Sequence, residues 1–252
     1  MNGLELTVVG AGTILPNPGL APACHLLRVG DATYIFDLGP GSLQRLAASG
    51  VDYKSIDLLF ISHLHPDHVL DIVTLLQANN ATPGWERTRP LRLVGCYGLE
   101  SFVERLLTVF RDAVPESYLL EFVELAVGRH QIEGVLVEVA LTGHTSNSLA
   151  FRLETAAGIF VYGGDAADIP AMVDIARGAD LFLCECSFLA PFETDDHLTA
   201  LSAARIAQSA GVRHLILTHT YPDTDHALAA AQAATEFKGR LTLAIDGTVV
   251  TC

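Results

Sequence analysis

The stretch Ser62-His63-Leu64-His65-Pro66-Asp67-His68 constrains this chain more than any other. It places four candidate metal ligands, His63, His65, Asp67 and His68, within six positions, directly after the apolar run Ile56–Ile61. The run reads as a buried strand, and the segment after the motif, Val69–Ala78, reads as a helix. The motif therefore occupies a strand-to-helix turn. Such a turn splays alternate side chains, so that His63 and His65 face one point while Asp67 and His68 face another. Two points a few ångströms apart, each with two ligands, are what a two-metal site requires. Four such side chains in a row have no packing use, and burying them unpaired would be costly.

The rest of the chain reads as two sets of strands followed by helices. The first set has strands over Leu4–Val9, Cys24–Val29, Thr33–Asp37, Ile56–Ile61 and Leu91–Gly95, with helices over Ser42–Ala48, Val69–Ala78 and Leu99–Phe110. Gly30-Asp31 marks a hairpin. Gly10-x-Gly12 is no dinucleotide fingerprint, because position 15 is Leu15 and a proline-rich loop follows. The second set has strands near Tyr118–Leu125, Gly134–Leu141, Leu149–Leu153, Ile159–Tyr162, Leu181–Cys186, His214–Thr218 and Leu241–Ile245. Helices over Ile169–Arg177, Thr199–Ala210 and Ala227–Phe237 interleave with its later members, and Gly211 suits a left-handed cap. No linker composition divides the sets. The simplest architecture is α/β: two mixed sheets face to face with helices outside, an αββα sandwich forming one domain over residues 1–252.

Three further candidate ligands follow strands: His144 in Leu141-Thr-Gly-His-Thr145, Asp165 in Val161-Tyr-Gly-Gly-Asp165, and His219 in Leu215-Ile-Leu-Thr-His219. Ligands at strand ends can converge on one rim of a sandwich. Imidazole and carboxylate together suit zinc, with manganese and iron as competitors.

The net charge of −14 would repel polyanions unless metals invert the sign locally. Only two of the 15 basic residues are lysines, Lys54 and Lys238, and no basic stripe forms a nucleic-acid track. No apolar run approaches the roughly 18 residues of a membrane span, and no signal peptide is visible at Met1–Glu5. Five cysteines, an odd number in apolar settings, point to reduced thiols and a cytoplasmic location. Cys184 and Cys186 fall on one face of a strand and read as core rather than as a metal clip. Trp85, Tyr97, Phe192 and Tyr221 sit in loops or at element ends where they could line a pocket. His25, His130, His214 and His226 carry no motif.

On these motifs, in this order, nearly the whole chain resembles metallo-β-lactamase-fold hydrolases. The resemblance implies His63, His65 and His144 on one divalent metal and Asp67, His68 and His219 on a second, with Asp165 bridging. Asp37 matches the family's aspartate that orients a ligand histidine. A bridging carboxylate, where the commonest β-lactamases have cysteine, is similar to the phosphodiesterase, glyoxalase II-like and lactonase branches.

The segment Ala179–His219 resembles transfer-RNA 3′-processing enzymes of the ribonuclease Z type. Glu185, His197-Leu198-Thr199 and Leu217-Thr218-His219 match that pattern. The resemblance implies a Glu185–His197 dyad, with Glu185 keeping His197 protonated beside the scissile phosphate or the leaving oxygen. The chain departs from those enzymes in three places. Only 20 residues separate His144 from Asp165, so the long substrate-gripping arm is missing. Cys184 stands where that family has histidine, and Thr220-Tyr221-Pro222 replaces its Arg-Tyr. With the acidic surface, these departures argue against transfer RNA and for a small or cyclic phosphodiester. The expected reaction is attack on phosphorus by a metal-held water whose pKa is lowered to about 7, with Asp67 indispensable. A lactonase or other carboxylic-ester hydrolase is the alternative on the same metals, and a metal-binding scaffold is a third reading. Exposed helices such as Leu99–Phe110 could form a homodimer interface, which the sequence does not decide.

Overall fold

Strands that are apolar on both faces must be covered on both faces, and this chain is built from such strands. In β4 (Leu58–Ile61) all four side chains are buried. Leu58 and Phe60 enter one apolar cluster, while Leu59 and Ile61 enter another on the opposite face. In β11 (Leu181–Glu185) Leu181 and Leu183 point one way, and Phe182 and Cys184 the other. The computed structural model, which describes residues 3–252, satisfies this demand with four layers. Met1 and Asn2 of the amino terminus lie outside the described residues.

The first sheet contains β1 (Leu4–Gly10), β2 (Cys24–Val29), β3 (Ala32–Phe36), β4, β5 (Leu91–Gly95), β6 (Leu120–Glu124) and, from the carboxyl end, β14 (Thr248–Thr251). Its order is β14-β1-β2-β3-β4-β5-β6. The second contains β7 (Gly128–Ile132), β8 (Val135–Leu141), β9 (Leu149–Thr155), β10 (Gly158–Tyr162), β11, β12 (His214–Thr218) and β13 (Arg240–Leu243). Its order is β13-β12-β11-β10-β9-β8-β7. Each sheet is antiparallel at one side and parallel at the other.

Parallel neighbours need crossovers, and helices supply them. The first sheet is covered by α1 (Ser42–Ala48), α2 (Pro66–Val69), α3 (Asp71–Ala81) and α4 (Leu99–Val109). The second is covered by α5 (Pro170–Ala176), α6 (Ala200–Ala210) and α7 (His226–Glu236). Between the sheets lies an aromatic cluster: Phe36 stacks on Phe60 at 5.1 Å, and Phe151 meets Phe60 edge-on at 5.4 Å. This is the αββα sandwich that the sequence pattern predicts. None of the described helices is long and apolar enough to cross a membrane.

Three details differ from the sequence expectations. Strand β7 was absent from it because Gly-Arg-His-Gln-Ile carries no apolar alternation. Strand β14 is too short and too exposed to signal itself. The helix expected over Val69–Ala78 is two helices: α2 begins inside the histidine motif at Pro66, and α3 runs on to Ala81. Cys184 and Cys186 are buried under α6 as core thiols, as expected, and Cys252 is exposed.

The topology puts the carboxyl ends of β3, β4, β10, β11 and β12 at one rim, where ligands of α/β sheets commonly bind. The 20 residues between His144 and Asp165 are spent on the β9–β10 hairpin. Phe60 ties this rim to the core. Replacing Phe60 by Ala should cost about 3–5 kcal/mol of stability, read as a lower guanidinium midpoint with unchanged slope. An unchanged midpoint would mean that the aromatic cluster does not join the sheets.

Candidate metal centre

Strand β4 delivers the motif and α2 finishes it. His63 leaves the strand end. Pro66, which has no N–H to lose, opens α2 at a position that favours proline. The helix turn then swings Asp67 and His68 inward, and both are buried. The loop after β3 clamps this turn: Leu38 N–H donates to the His68 carbonyl at 2.7 Å, and Asp71 N–H donates to the Leu38 carbonyl at 2.9 Å. Gly39 permits the approach, since a Cβ there would sit 2.0 Å from the Asp67 carbonyl oxygen.

All seven candidate ligands come together. The ligand atoms of His63, His65, His144 and Asp165 lie within 4.8 Å of one another, and so do those of Asp67, His68 and His219. Asp165 faces both sets. Its Oδ2 is 3.8 Å from His63 Nε2 and 3.8 Å from His144 Nε2. Its Oδ1 is 3.4 Å from His68 Nε2 and 3.5 Å from His219 Nε2.

Hydrogen bonds behind the rings fix the tautomers. His68 Nδ1–H donates to Asp37 Oδ2 at 2.7 Å, which leaves the Nε2 lone pair facing the centre. Asp37 Oδ2 also accepts from Ser62 Oγ at 2.7 Å and Tyr162 O–H at 2.6 Å, and Oδ1 accepts from Ser62 N–H at 2.7 Å. Ser62 Oγ, its proton given to Asp37, accepts from His63 Nδ1–H at 3.0 Å. His144 Nδ1–H donates to the Asp196 carbonyl at 2.9 Å. His219 Nδ1–H donates to Ser187 Oγ at 3.1 Å. Four imidazoles thus present Nε2 inward, while His65 presents Nδ1, 3.1 Å from His144 Nε2.

The Nε2 atoms of His63 and His68 are buried and have no hydrogen-bond partner. Each such group costs roughly 1–3 kcal/mol when left unsatisfied. A cation at the focus of these lone pairs removes that cost, so this donor set fits divalent metals. Backbone strain gathers here too: among the described residues, Asp37 (φ 56°) and His219 (φ 55°) are two of the three non-glycine residues in the left-handed region.

The electrostatics are those of a centre with protons where cations would sit. Burial holds the His63 imidazole well below its ordinary range, with the His68 charge adding to the effect. Burial opposes a proton on His68, but the Asp165 and Asp37 carboxylates outweigh it and push that pKa well up. Burial would raise the Asp165 carboxyl, yet the imidazoles of His219 and His68 hold it well below its usual range.

Beside the centre stands the expected dyad. His197 Nδ1 is 3.0 and 3.1 Å from the two carboxylate oxygens of buried Glu185. Glu185 also accepts from Ala166 N–H at 2.6 Å and from Ser187 Oγ. Burial opposes the proton on His197, but its bond to Glu185 prevails and raises the pKa to about 9. The ring lies 4.5 Å from that of His144 and 6.1 Å from that of His219.

Ser62, Tyr162, Ser187 and Asp196 were not singled out from sequence. A serine or tyrosine near a ligand is too common to carry a signal, and Asp196 acts on His144 through its backbone carbonyl. Of the four aromatics considered for a pocket, Tyr221 stacks on Phe188 at 5.0 Å, and Phe188 meets the His197 ring at 5.9 Å. The Tyr97 carbonyl accepts from Asn147 Nδ2 at 2.7 Å, beside the loop of His144. Phe192 is exposed on the loop that leads to His197. Trp85 does not belong with them: it lines a surface depression with Asp52, Lys54 and Arg87. His25 is buried with its ring 5.0 Å from that of Tyr162.

Comparison with known proteins agrees with this fold. The family model described as "Beta-lactamase superfamily domain" matches residues 33–220. The chain is 30% identical to ribonuclease Z of Mycobacterium marinum, over 96% of each chain. Among solved structures it resembles the metallo-β-lactamase fold protein YhfI from Bacillus subtilis, with a TM-score of 0.87 and 24% identity over the whole of both chains. It also resembles the short form of human tRNase Z, with a TM-score of 0.77 and 22% identity over 98% of each.

Neighbouring carboxylates raise the pKa values of His68 and His219 against the effect of burial, and any proton on these rings must leave when a metal binds. Calorimetric titration of zinc into the metal-free protein at pH 7, in buffers of different ionisation enthalpy, should therefore show net proton release. Apparent affinity should fall as pH drops. Uptake with no proton release would contradict the raised pKa values of His68 and His219.

Proposed function

Because the chain belongs to the β-lactamase superfamily of metal-dependent hydrolases, we propose that it hydrolyses a small phosphodiester at a two-metal centre. His63, His65 and His144 hold one divalent ion and Asp67, His68 and His219 the other, with Asp165 between them. Zinc suits this imidazole–carboxylate set best. Bound divalent metals supply a nucleophile from water at neutral pH and Lewis acidity at phosphorus.

The observation that carries phosphate over carboxylic ester is the Glu185–His197 pair. Loss of an alkoxide from a phosphodiester calls for a proton at the departing oxygen. Glu185 binds Nδ1–H and thereby holds a proton on Nε2, the free edge of the His197 ring, while Ala166 N–H and Ser187 Oγ hold Glu185 in place. His197 stays protonated up to about pH 9, so it can serve as general acid through the neutral range. The likeness to ribonuclease Z supports phosphodiester chemistry. The short β9–β10 connection supports a substrate smaller than transfer RNA.

Four assays test this reading. Metal-loaded protein should hydrolyse bis(p-nitrophenyl) phosphate or a cyclic nucleotide, whereas the Asp67→Ala variant should lose that activity together with about one equivalent of metal by elemental analysis. The His197→Ala variant should lose roughly 10²–10⁴-fold in phosphodiester kcat with much less effect on a lactone. The activity that depends on the His197 proton should fall above about pH 9 in the wild type. In the Glu185→Gln variant, that fall should move down toward the ordinary histidine value of about 6.5. Lactone turnover with silent phosphodiesters would overturn the proposal in favour of the ester-hydrolase alternative, as would turnover of precursor transfer RNA alone for the small-substrate part.

A further inference from the structure

The rim that carries the metal centre holds acids, aromatics and histidines but no Lys or Arg side chain. Its segments are 11–23, 37–41, 62–65, 96–98, 142–148, 163–169, 186–199, 219–225 and 244–247, and none contains any of the chain's 15 Lys and Arg residues. Arg45, just behind this rim, is already paired with Asp246 at 3.0 Å. Asp246 in turn accepts from Ala11 and Ala21 N–H. Enzymes that grip polyphosphates or nucleic-acid backbones do so with Arg, Lys or helix amides. Here the cations facing a substrate are the bound metals and the protonated His197.

Six acids on the same segments, Asp168, Glu193, Asp195, Asp196, Asp223 and Asp225, are exposed. None has a Lys or Arg partner among the described residues. The Asp196 carboxylate lies within 4.8 Å of ring nitrogens of His144 and His197, which places it at the mouth. An independent observation points the same way. Tyr97 and Phe192 are 78% and 74% exposed on loops that flank the centre, and the Phe188–Tyr221 stack reaches His197. Exposed aromatic faces beside unpaired carboxylates suit an organic cation, which is attracted to both. The buried, unpartnered Nε2 atoms of His63 and His68 mark the metal positions, and the phosphate end of such a molecule would belong against those metals.

Resting on the phosphodiesterase reading, we propose that the substrate is a small phosphodiester whose second alcohol carries a choline- or amine-type cation. The single phosphate charge meets the metals and His197, and the cationic arm meets the rim of Asp196, Asp195 and Glu193 with Tyr97 and Phe192. In the reaction, water adds to phosphorus as the ester P–O bond breaks. One water proton ends on the leaving alcohol, and the product is a phosphomonoester that keeps the cationic arm. An anionic second arm is repelled by the same acids. Nucleotide polyphosphates and oligonucleotides are excluded on that ground.

Three p-nitrophenyl phosphodiesters that differ only in the second alcohol (choline, ethyl and carboxyethyl) test this with the metal-loaded full chain. Expected kcat/KM falls in that order, by about tenfold or more between the ends at low salt, and the spread shrinks at roughly 0.5 M salt. Calorimetric titration of phosphocholine, ethyl phosphate and phosphoglycolate should show the same order of affinity without turnover. A Glu193→Lys/Asp195→Lys double variant should compress or invert the order, with thermal midpoint and metal content as folding controls. A carboxyethyl ester equal to or better than the choline ester, or an order untouched by the double variant, overturns this inference while leaving the phosphodiesterase reading intact. Failure of all three diesters overturns both.

Discussion

The Asp37 carboxylate is the interaction on which the rest of the centre depends. It is fully buried, and it accepts four hydrogen bonds from three places: the end of β4 through Ser62, the helix α2 through His68, and the end of β10 through Tyr162. The first two belong to one sheet and the third to the other. One side chain therefore sets the spacing between the sheets at the rim and aims the His68 lone pair. A buried charge is tolerable when it is fully hydrogen-bonded, and the left-handed backbone at Asp37 is retained in that setting.

A second buried carboxylate, Glu185, does the same on the far side of the centre. It joins Ala166, next to Asp165, to Ser187 and His197, and Ser187 reaches His219. The candidate ligands are thus held from behind by two acids that do not themselves face the cations. Pre-set rings lose little freedom when a metal arrives, and the cluster of mutually repelling groups is relieved by it. Asp165 lies between the two halves, and its oxygens divide between them.

Much of this was legible in the chain. Apolar runs bounded by glycine, proline and polar residues gave the two sets of strands, because a strand covered on both sides must be apolar on both sides. The histidine motif showed itself because ligands packed that closely have no structural use. The polar strand β7 and the short β14 stayed hidden, since each is held by pairing with a neighbour, β8 and β1, rather than by its own periodicity. The helix α2 was hidden by length: four residues starting at a proline read as a turn until tertiary bonds from Leu38 and Asp71 hold them.

By itself the sequence determined the residue types of the centre, their order along the chain, the acidic balance and the layered architecture. These are local or compositional properties, and local sterics and hydrophobicity decide them. Only the tertiary structure decided which ring nitrogens face inward, that Asp165 divides its oxygens between two ligand sets, and that Ser62, Tyr162 and Ser187 are the hinges behind them. It also decided that Trp85 belongs to another surface while Asp196 stands beside His144 and His197. Those facts join residues as far apart as Asp37 and Tyr162, separated by 125 positions. Side-chain direction at a strand end depends on what the other sheet presents, and no local pattern encodes that.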